Sequence, residues 1–240
     1  MSQHRIRTVA ETGSTNADLK VLAAAGWPEG QWLRAERQTS GRGRLGRDWQ
    51  SVTGNLHAST LIRLRPGDPL VTGLGLLAGI AVHDALAGLL PDAAIQLRWP
   101  NDVMVGPAKL AGMLLEREGD AVILGIGVNV AQAPRLPGRE TIALADLPGG
   151  EGIDAGEVLG ALVPALDGWL TRWRAEGASA LITAWLARGH PVGTRLAVST
   201  GADRPQHGRF LGLEAHGALI LGLEDGTSEI IHSGDVGVLL

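Results

Sequence analysis

The lettering of this chain changes at Gly189. Beyond that point four short extended segments follow at close spacing: Gly193–Val198, Gly208–Gly212, Ala218–Leu221 and Glu229–His232. Gly201, Gly217 and Gly226 stand between them as turns. Short strands punctuated by glycine turns predict a small all-β barrel of about five strands. Before Gly189 the segments are longer and mix helical with extended patterns. The chain is therefore predicted to form two domains of an α+β protein, residues 1–188 and residues 189–240.

Within the first unit the pattern predicts a strand over residues 4–10 and then a helix through Ala17–Ala25. Ser14 or Thr15 stands at its N-cap and Gly26 at its stop. Strands are expected at Trp32–Glu36, Gly54–Ile62, Ile95–Trp99, Val103–Val105, Lys109–Glu116 and Ala121–Asn129. A long apolar helix should start at Asp68-Pro69 and end near Pro91, with His83 at its boundary. Residues 131–150, rich in Pro and Gly, read as loop. Helices are expected at Asp154–Ala175 and Ala178–Arg188, with Trp169, Trp173 and Trp185 at core spacings.

Composition removes several classes of function. With no cysteine, disulfides, thiolate metal sites and cysteine nucleophiles are excluded. A net charge of -4 gives no sign of a nucleic-acid or membrane surface. The longest apolar run, Leu74–Leu90, contains His83 and Asp84 and so reads as a buried helix, and the first seven residues lack a signal-peptide core. A cytoplasmic protein is expected. There is no H-E-x-x-H pair, no G-x-x-x-x-G-K-[ST] loop and no G-x-S-x-G elbow.

The stretch from Gln38 to Ser51, Q-T-S-G-R-G-R-L-G-R-D-W-Q-S, carries the chemistry. Gly41, Gly43 and Gly46 alternate with Arg42, Arg44 and Arg47, and Trp49 follows. Glycine allows close backbone approach, and arginine presents a planar fork of donors to carboxylate or phosphate. Such a segment is expected to be loose when empty and to order on an anion. The same glycines satisfy G-x-G-x-x-G, but no apolar strand precedes them and no helix opens at the third. A dinucleotide site is rejected.

Scarce residue types mark further positions. Of 21 basic residues only Lys20 and Lys109 are lysine, and asparagine occurs only at positions 16, 55, 101 and 129. Gly125 and Gly127 interrupt a buried strand, which marks either ligand approach or tight packing. Arg42, Arg44, Arg47, Lys109, Asn101 and Asn129 together make a set suited to holding anions.

Five strings, in order, resemble the motif series of the biotin protein ligases: Glu11–Asn16, Gly41–Arg47, Arg98–Asp102, Lys109–Gly112 and Gly125–Asn129. The last segment, Ser233–Val236, resembles the end of that family's SH3-like domain. The resemblance implies a mixed-sheet catalytic domain of the class II synthetase type. It implies activation of biotin by ATP to biotinyl-5'-AMP, then transfer to a lysine of a biotin carboxyl carrier domain. Ser14, Thr15, Asn16, Gln38, Gly41, Arg42, Gly43, Arg44, Lys109, Gly112, Gly125 and Gly127 would then face biotin. Arg44, Arg47, Trp49, Asn101 and Asn129 would face the nucleotide, with Lys109 and Arg44 catalytic. Mg²⁺ would arrive on the ATP phosphates, and Asp102 would help orient it.

Two departures stand out: Arg98 replaces the lysine common before Trp-Pro-Asn-Asp, and Asp235 stands where glutamate is usual. Only ten residues precede Glu11, so the DNA-binding domain of some members, and DNA binding with it, is not expected. A monomer or a homodimer is compatible with the resemblance. Two alternatives remain: a lipoate or octanoate ligase with the same core, and a non-catalytic binder of such ligands.

Overall fold

A computed structural model describes residues 5–201 and 205–239. The elements run β1 Ile6–Thr12, α1 Thr15–Ala24, β2 Trp32–Gln38, β3 Leu56–Arg63, α2 Gly73–Leu89, β4 Ile95–Arg98, β5 Asp102–Val105, β6 Ala108–Glu118 and β7 Ala121–Val128. They continue with α3 Ala155–Glu176, α4 Ala178–Leu186, β8 Arg195–Ser199, β9 Gln206–Leu213, β10 Leu219–Gly222, β11 Ser228–Ile231 and β12 Asp235–Val238. His4, expected to open the first strand, lies outside the described residues.

Seven strands form one mixed sheet in the order β1-β2-β3-β7-β6-β5-β4, in which only β1 and β2 are parallel. The last five form an antiparallel sheet, β11-β10-β9-β8-β12. The fifth of these, Asp235–Val238, completes the four read from the sequence. The long apolar helix starts at Gly73 rather than at Asp68-Pro69, because Arg65 N–H bonds the Asp68 carboxylate and closes a turn there. Helix α3 begins where Asp154 accepts from the Gly156 and Glu157 amides.

The large sheet is covered on both faces, unequally. On one face, α2, α3 and α4 bury the main core, including Leu77, Ile80, Leu124, Ile126, Trp173 and Trp185. Trp169 lies at its margin and donates to Asp84, and His83 bonds the Ile95 carbonyl at the helix boundary. On the other face, α1 covers only a small cluster that includes Leu19, Leu33, Leu61 and Ile123.

Strand register explains what happens beyond that cluster. Side chains two apart share a face. The row Leu61, Ser59, His57 on β3 therefore runs beside Ile123, Gly125, Gly127 on β7, which runs beside Glu116, Leu114, Gly112 on β6. At one end Leu61 and Ile123 are apolar and packed under α1. Toward the other end β7 loses its side chains at Gly125 and Gly127, and a hollow opens.

The small sheet closes this end of the molecule. Trp99 Nε1 donates to the Gly217 carbonyl at 2.9 Å, and Trp185, His190 and Phe210 meet edge to face across the joint.

Candidate active site

The hollow is a cavity of about 930 Å³ walled by the N-terminus of α1, the Gln38–Gln50 loop, the Arg98–Asp102 turn, β6, β7, residues 134–141 and the start of β12. Of the residues expected to face ligand, Gly41 alone does not line it. Gly41 lies under the backbone of Trp49, whose N–H donates to the Gly41 carbonyl at 3.0 Å. A Cβ at Gly41 would stand 2.6 Å from the Trp49 oxygen, so this glycine serves the loop's own closure.

At the α1 end Ser14 is the N-cap, but its hydroxyl makes no capping bond. Ser14 is thus the expected N-cap residue, set by its extended backbone rather than by a hydroxyl bond. Gln38 Oε1 reaches the helix terminus instead, accepting from Thr15 N at 2.8 Å and Thr15 Oγ1 at 3.1 Å. Ser59 Oγ lies 2.7 Å from Thr15 Oγ1 and 2.6 Å from Asn16 Oδ1, and Asn16 Nδ2 donates to Glu116 at 2.7 Å. Ser14, Thr15, Asn16 and Ser59 are all buried. A chain of hydroxyls and amides tied down from behind is a preorganised polar wall. Asn16 packs on Gly125 where any Cβ would collide, so this glycine answers the question left by the sequence through helix packing.

Toward the middle, Lys109 Nζ donates to Asp102 Oδ1 at 2.6 Å and lies 5.6 Å from the Trp49 ring centroid. Asp102, expected to help orient a metal, is thus occupied by the lysine. Arg44 Nη1 donates to Asn101 Oδ1 at 2.8 Å, and Asn101 Nδ2 in turn donates to the Met113 carbonyl at 2.5 Å. Asn101, expected among the nucleotide contacts, has both ends of its amide bonded to protein and orients Arg44. The Trp49 indole lies against the glycine floor: a Cβ at Gly127 would overlap it, and one at Gly112 would come within 3.1 Å of it.

The glycine–arginine loop closes upon itself. Gly43 N–H donates to the Arg47 carbonyl at 2.7 Å, and the backbones of Arg42 and Asp48 pair as an isolated antiparallel β-bridge. Leu45 takes a left-handed backbone, φ 57°, at the exposed tip. Arg47 pairs with Asp235 of β12, and Arg139 approaches the same carboxylate at 3.4 Å. The Arg47 guanidinium lowers the Asp235 carboxyl from its ordinary value. Asn129 Nδ2 donates to the Lys109 and Ile142 carbonyls, which leaves Oδ1 buried without a partner.

Sequence reasoning passed over His57, which lines the cavity, and Ser59 and Glu116, which hold Thr15 and Asn16 from behind. Counting by twos from Leu61 and Ile123 along the paired strands finds all three. Arg139 and Leu136 also line the cavity, from a Pro/Gly-rich loop whose lettering carries no signal of it.

Comparison with known proteins places this architecture. A solved biotin protein ligase from Aquifex aeolicus, in complex with biotin and ATP, superposes with a TM-score of 0.83 and 28% identity, over 98% of both chains. A mixed sheet with a glycine-floored cavity, followed by a small antiparallel sheet, is thus a ligase fold.

The family model "Biotin/lipoate A/B protein ligase family" matches residues 9–131, and "Biotin protein ligase C terminal domain" matches residues 197–238. The biotin–acetyl-CoA-carboxylase ligase of Paracoccus denitrificans is 37% identical over 89% of this chain and 92% of its own. That of Mycobacterium tuberculosis is 36% identical over 97% and 88%. This chain belongs to the biotin/lipoate A/B protein ligase family. No described helix is long and apolar enough to cross a membrane.

Proposed function

We propose that this protein activates biotin with ATP and transfers it to a lysine of a biotin carboxyl carrier domain, in the cytoplasm. The gathering of Arg44, Asn101, Asp102 and Lys109 in one cavity carries this reading. Residues 1–188 are the catalytic unit and residues 189–240 the SH3-like barrel that closes it.

A biotin oxygen attacks the α-phosphorus of ATP, and pyrophosphate leaves. The amine of the acceptor lysine then attacks the acyl carbon, loses its proton, and AMP leaves. The first step must bring two anions together. At 4 Å their repulsion is about 4 kcal/mol at an effective dielectric of 20. Each charge-assisted hydrogen bond offers about 1.5–3 kcal/mol, so two well-placed cations offset it. Lys109 and Arg44 are those cations. Substrate carboxylate and α-phosphate replace Asp102 as the partner of Lys109, and Asn101 keeps Arg44 aimed while they do.

The wall of Ser14, Thr15, Asn16 and Gln38, backed by Ser59, offers hydroxyls and amides to a ureido head group. Arg42, Gly43, Gly112, Gly125 and Gly127 line the remainder of the biotin channel, Gly41 holding the loop that covers it. Trp49, Arg47 and Asn129 serve the nucleotide, the free Asn129 Oδ1 matching an exocyclic amine of adenine.

Mg²⁺ fits as a companion of ATP: no cluster of three protein ligands exists among the described residues, and Asp102 is one carboxylate at the cavity. Magnesium is ordinarily held by one or two carboxylates plus substrate phosphates. When bound it would supply charge neutralisation on the phosphates, with Asp102 released from Lys109 to hold it.

Incorporation of labelled biotin into a carrier domain, with ATP and Mg²⁺, tests the reading. Biotin-dependent exchange of pyrophosphate into ATP is expected in the same protein. Exchange supported by lipoate or octanoate but not by biotin would overturn it.

A further inference from the structure

His57 is buried, 1% exposed, on the cavity face of β3, directly across the strand pair from Gly127. Its ring is held from two sides. Trp49 Nε1 lies 3.3 Å from Nδ1, and the Val52 carbonyl lies 3.4 Å from Nε2. An indole N–H can only donate and a carbonyl oxygen can only accept. Both partners therefore demand the same form of the ring, with Nδ1 bare and the proton on Nε2. Burial lowers the imidazole from its ordinary value, which favours that neutral form.

Trp49 needs such an anchor. It sits at the exit of a loop with three glycines, and its indole has no neighbouring Cβ at Gly112 or Gly127 to confine it. We propose that His57 is a positioning residue for Trp49, holding the indole against the glycine floor beside Lys109 as a ready-made platform for the adenine of ATP. Ordering that ring before ligand arrives removes part of the entropy cost of binding the nucleotide. The inference rests on the reading of Trp49 as a nucleotide residue. It goes beyond that reading by assigning the choice of histidine to the Nδ1 acceptor.

Two substitutions separate the ring's atoms. Asparagine places an oxygen near the position of Nδ1 and can still accept from the indole, whereas glutamine reaches the position of Nε2 and cannot. Pyrophosphate exchange is measured at varied ATP and at varied biotin. His57→Gln is expected to raise the KM for ATP about five- to tenfold, the range of one neutral hydrogen bond, with the KM for biotin unchanged. His57→Asn is expected to stay within about twofold of the parent.

Trp49→Phe, which keeps a ring and deletes the N–H, should reproduce the His57→Gln effect, and adding His57→Gln to it should change nothing more. Equal losses in the Asn and Gln variants, a parallel rise in the biotin KM, or additive losses in the double variant would each overturn the proposal. If His57→Gln does not fold, Trp49→Phe decides alone, an unchanged ATP KM being fatal. An unchanged ATP KM in Trp49→Ala overturns the adenine assignment itself, a result distinct from His57 acting through some other residue.

Discussion

Arg47, in the glycine–arginine loop, and Asp235, at the head of the last strand, form an ion pair between groups 188 residues apart in sequence. Arg44 extends the same contact, with Nη1 3.5 Å from the Gly234 carbonyl. The loop that covers the cavity is thus fastened to the small sheet.

Because both side chains of the pair keep about 40% of their surface exposed, the contact adds little to global stability. Its effect is local. Asp235→Asn is expected to leave the melting temperature within about 2 °C and to speed amide exchange at residues 41–48 in the ligand-free protein. Asp235→Glu should restore protection. Unaltered exchange in Asp235→Asn would show that the loop's internal bonds suffice.

Gly125 and Gly127 stand two apart on one strand, yet their replacements should act on different substrates. A Cβ at Gly125 would strike the Asn16 amide, and one at Gly127 the Trp49 indole. Gly125→Ala is expected to raise the KM for biotin and Gly127→Ala the KM for ATP, each by tenfold or more. Initial-rate kinetics with either substrate varied checks the split.

Lys109→Ala is expected to reduce biotin-dependent pyrophosphate exchange by about 10²–10³, the usual cost of losing one well-aimed donor at developing charge. It also leaves Asp102 without its lysine, so Lys109→Ala/Asp102→Asn serves as a control. Exchange should remain lost in that variant. Recovery would assign the defect to the stranded carboxylate.

Asn55 Oδ1 accepts from three successive amides, Val130, Ala131 and Gln132, at 2.9, 3.0 and 3.2 Å. Its Nδ2 donates back to the Gln132 carbonyl at 2.8 Å. This one side chain fixes the turn that follows Asn129. Asn55→Ala should destabilise the fold by about 1–3 kcal/mol, whereas Asn55→Asp, which keeps the acceptor, should cost less. Chemical denaturation of both variants measures the difference.

His190 carries the pH dependence of the joint between the sheets. Burial, aided by Arg98, lowers its imidazole from 6.5 to about 4. The unfolded chain binds a proton near pH 6.5 that the folded protein refuses until about pH 4. Stability is therefore unaffected above pH 6.5, declines as pH falls through that window, and stops declining from this source below it. Melting temperatures across pH 4–8 should show the decline in the parent and a flatter line in His190→Leu.

Much of this molecule was legible in its letters. Glycine turns after residue 189 announced short strands, and the five motifs, with a lone lysine among them, pointed to a cavity for two acids. Period-two and helical patterns placed most elements because burial on one face is a local property of the chain. The partners of the polar groups were not legible. Gly125 faces Asn16 and Gly127 faces Trp49 because helix α1 and the glycine–arginine loop fold over β7 from distant parts of the chain. Asn101 turns Arg44 and Asp235 reaches Arg47 because the same loop meets the Arg98–Asp102 turn and the small sheet, and Asp102 meets Lys109 where β5 pairs with β6. Composition can require that a buried or charged group find a partner, but only the folded backbone decides which one comes within hydrogen-bonding distance.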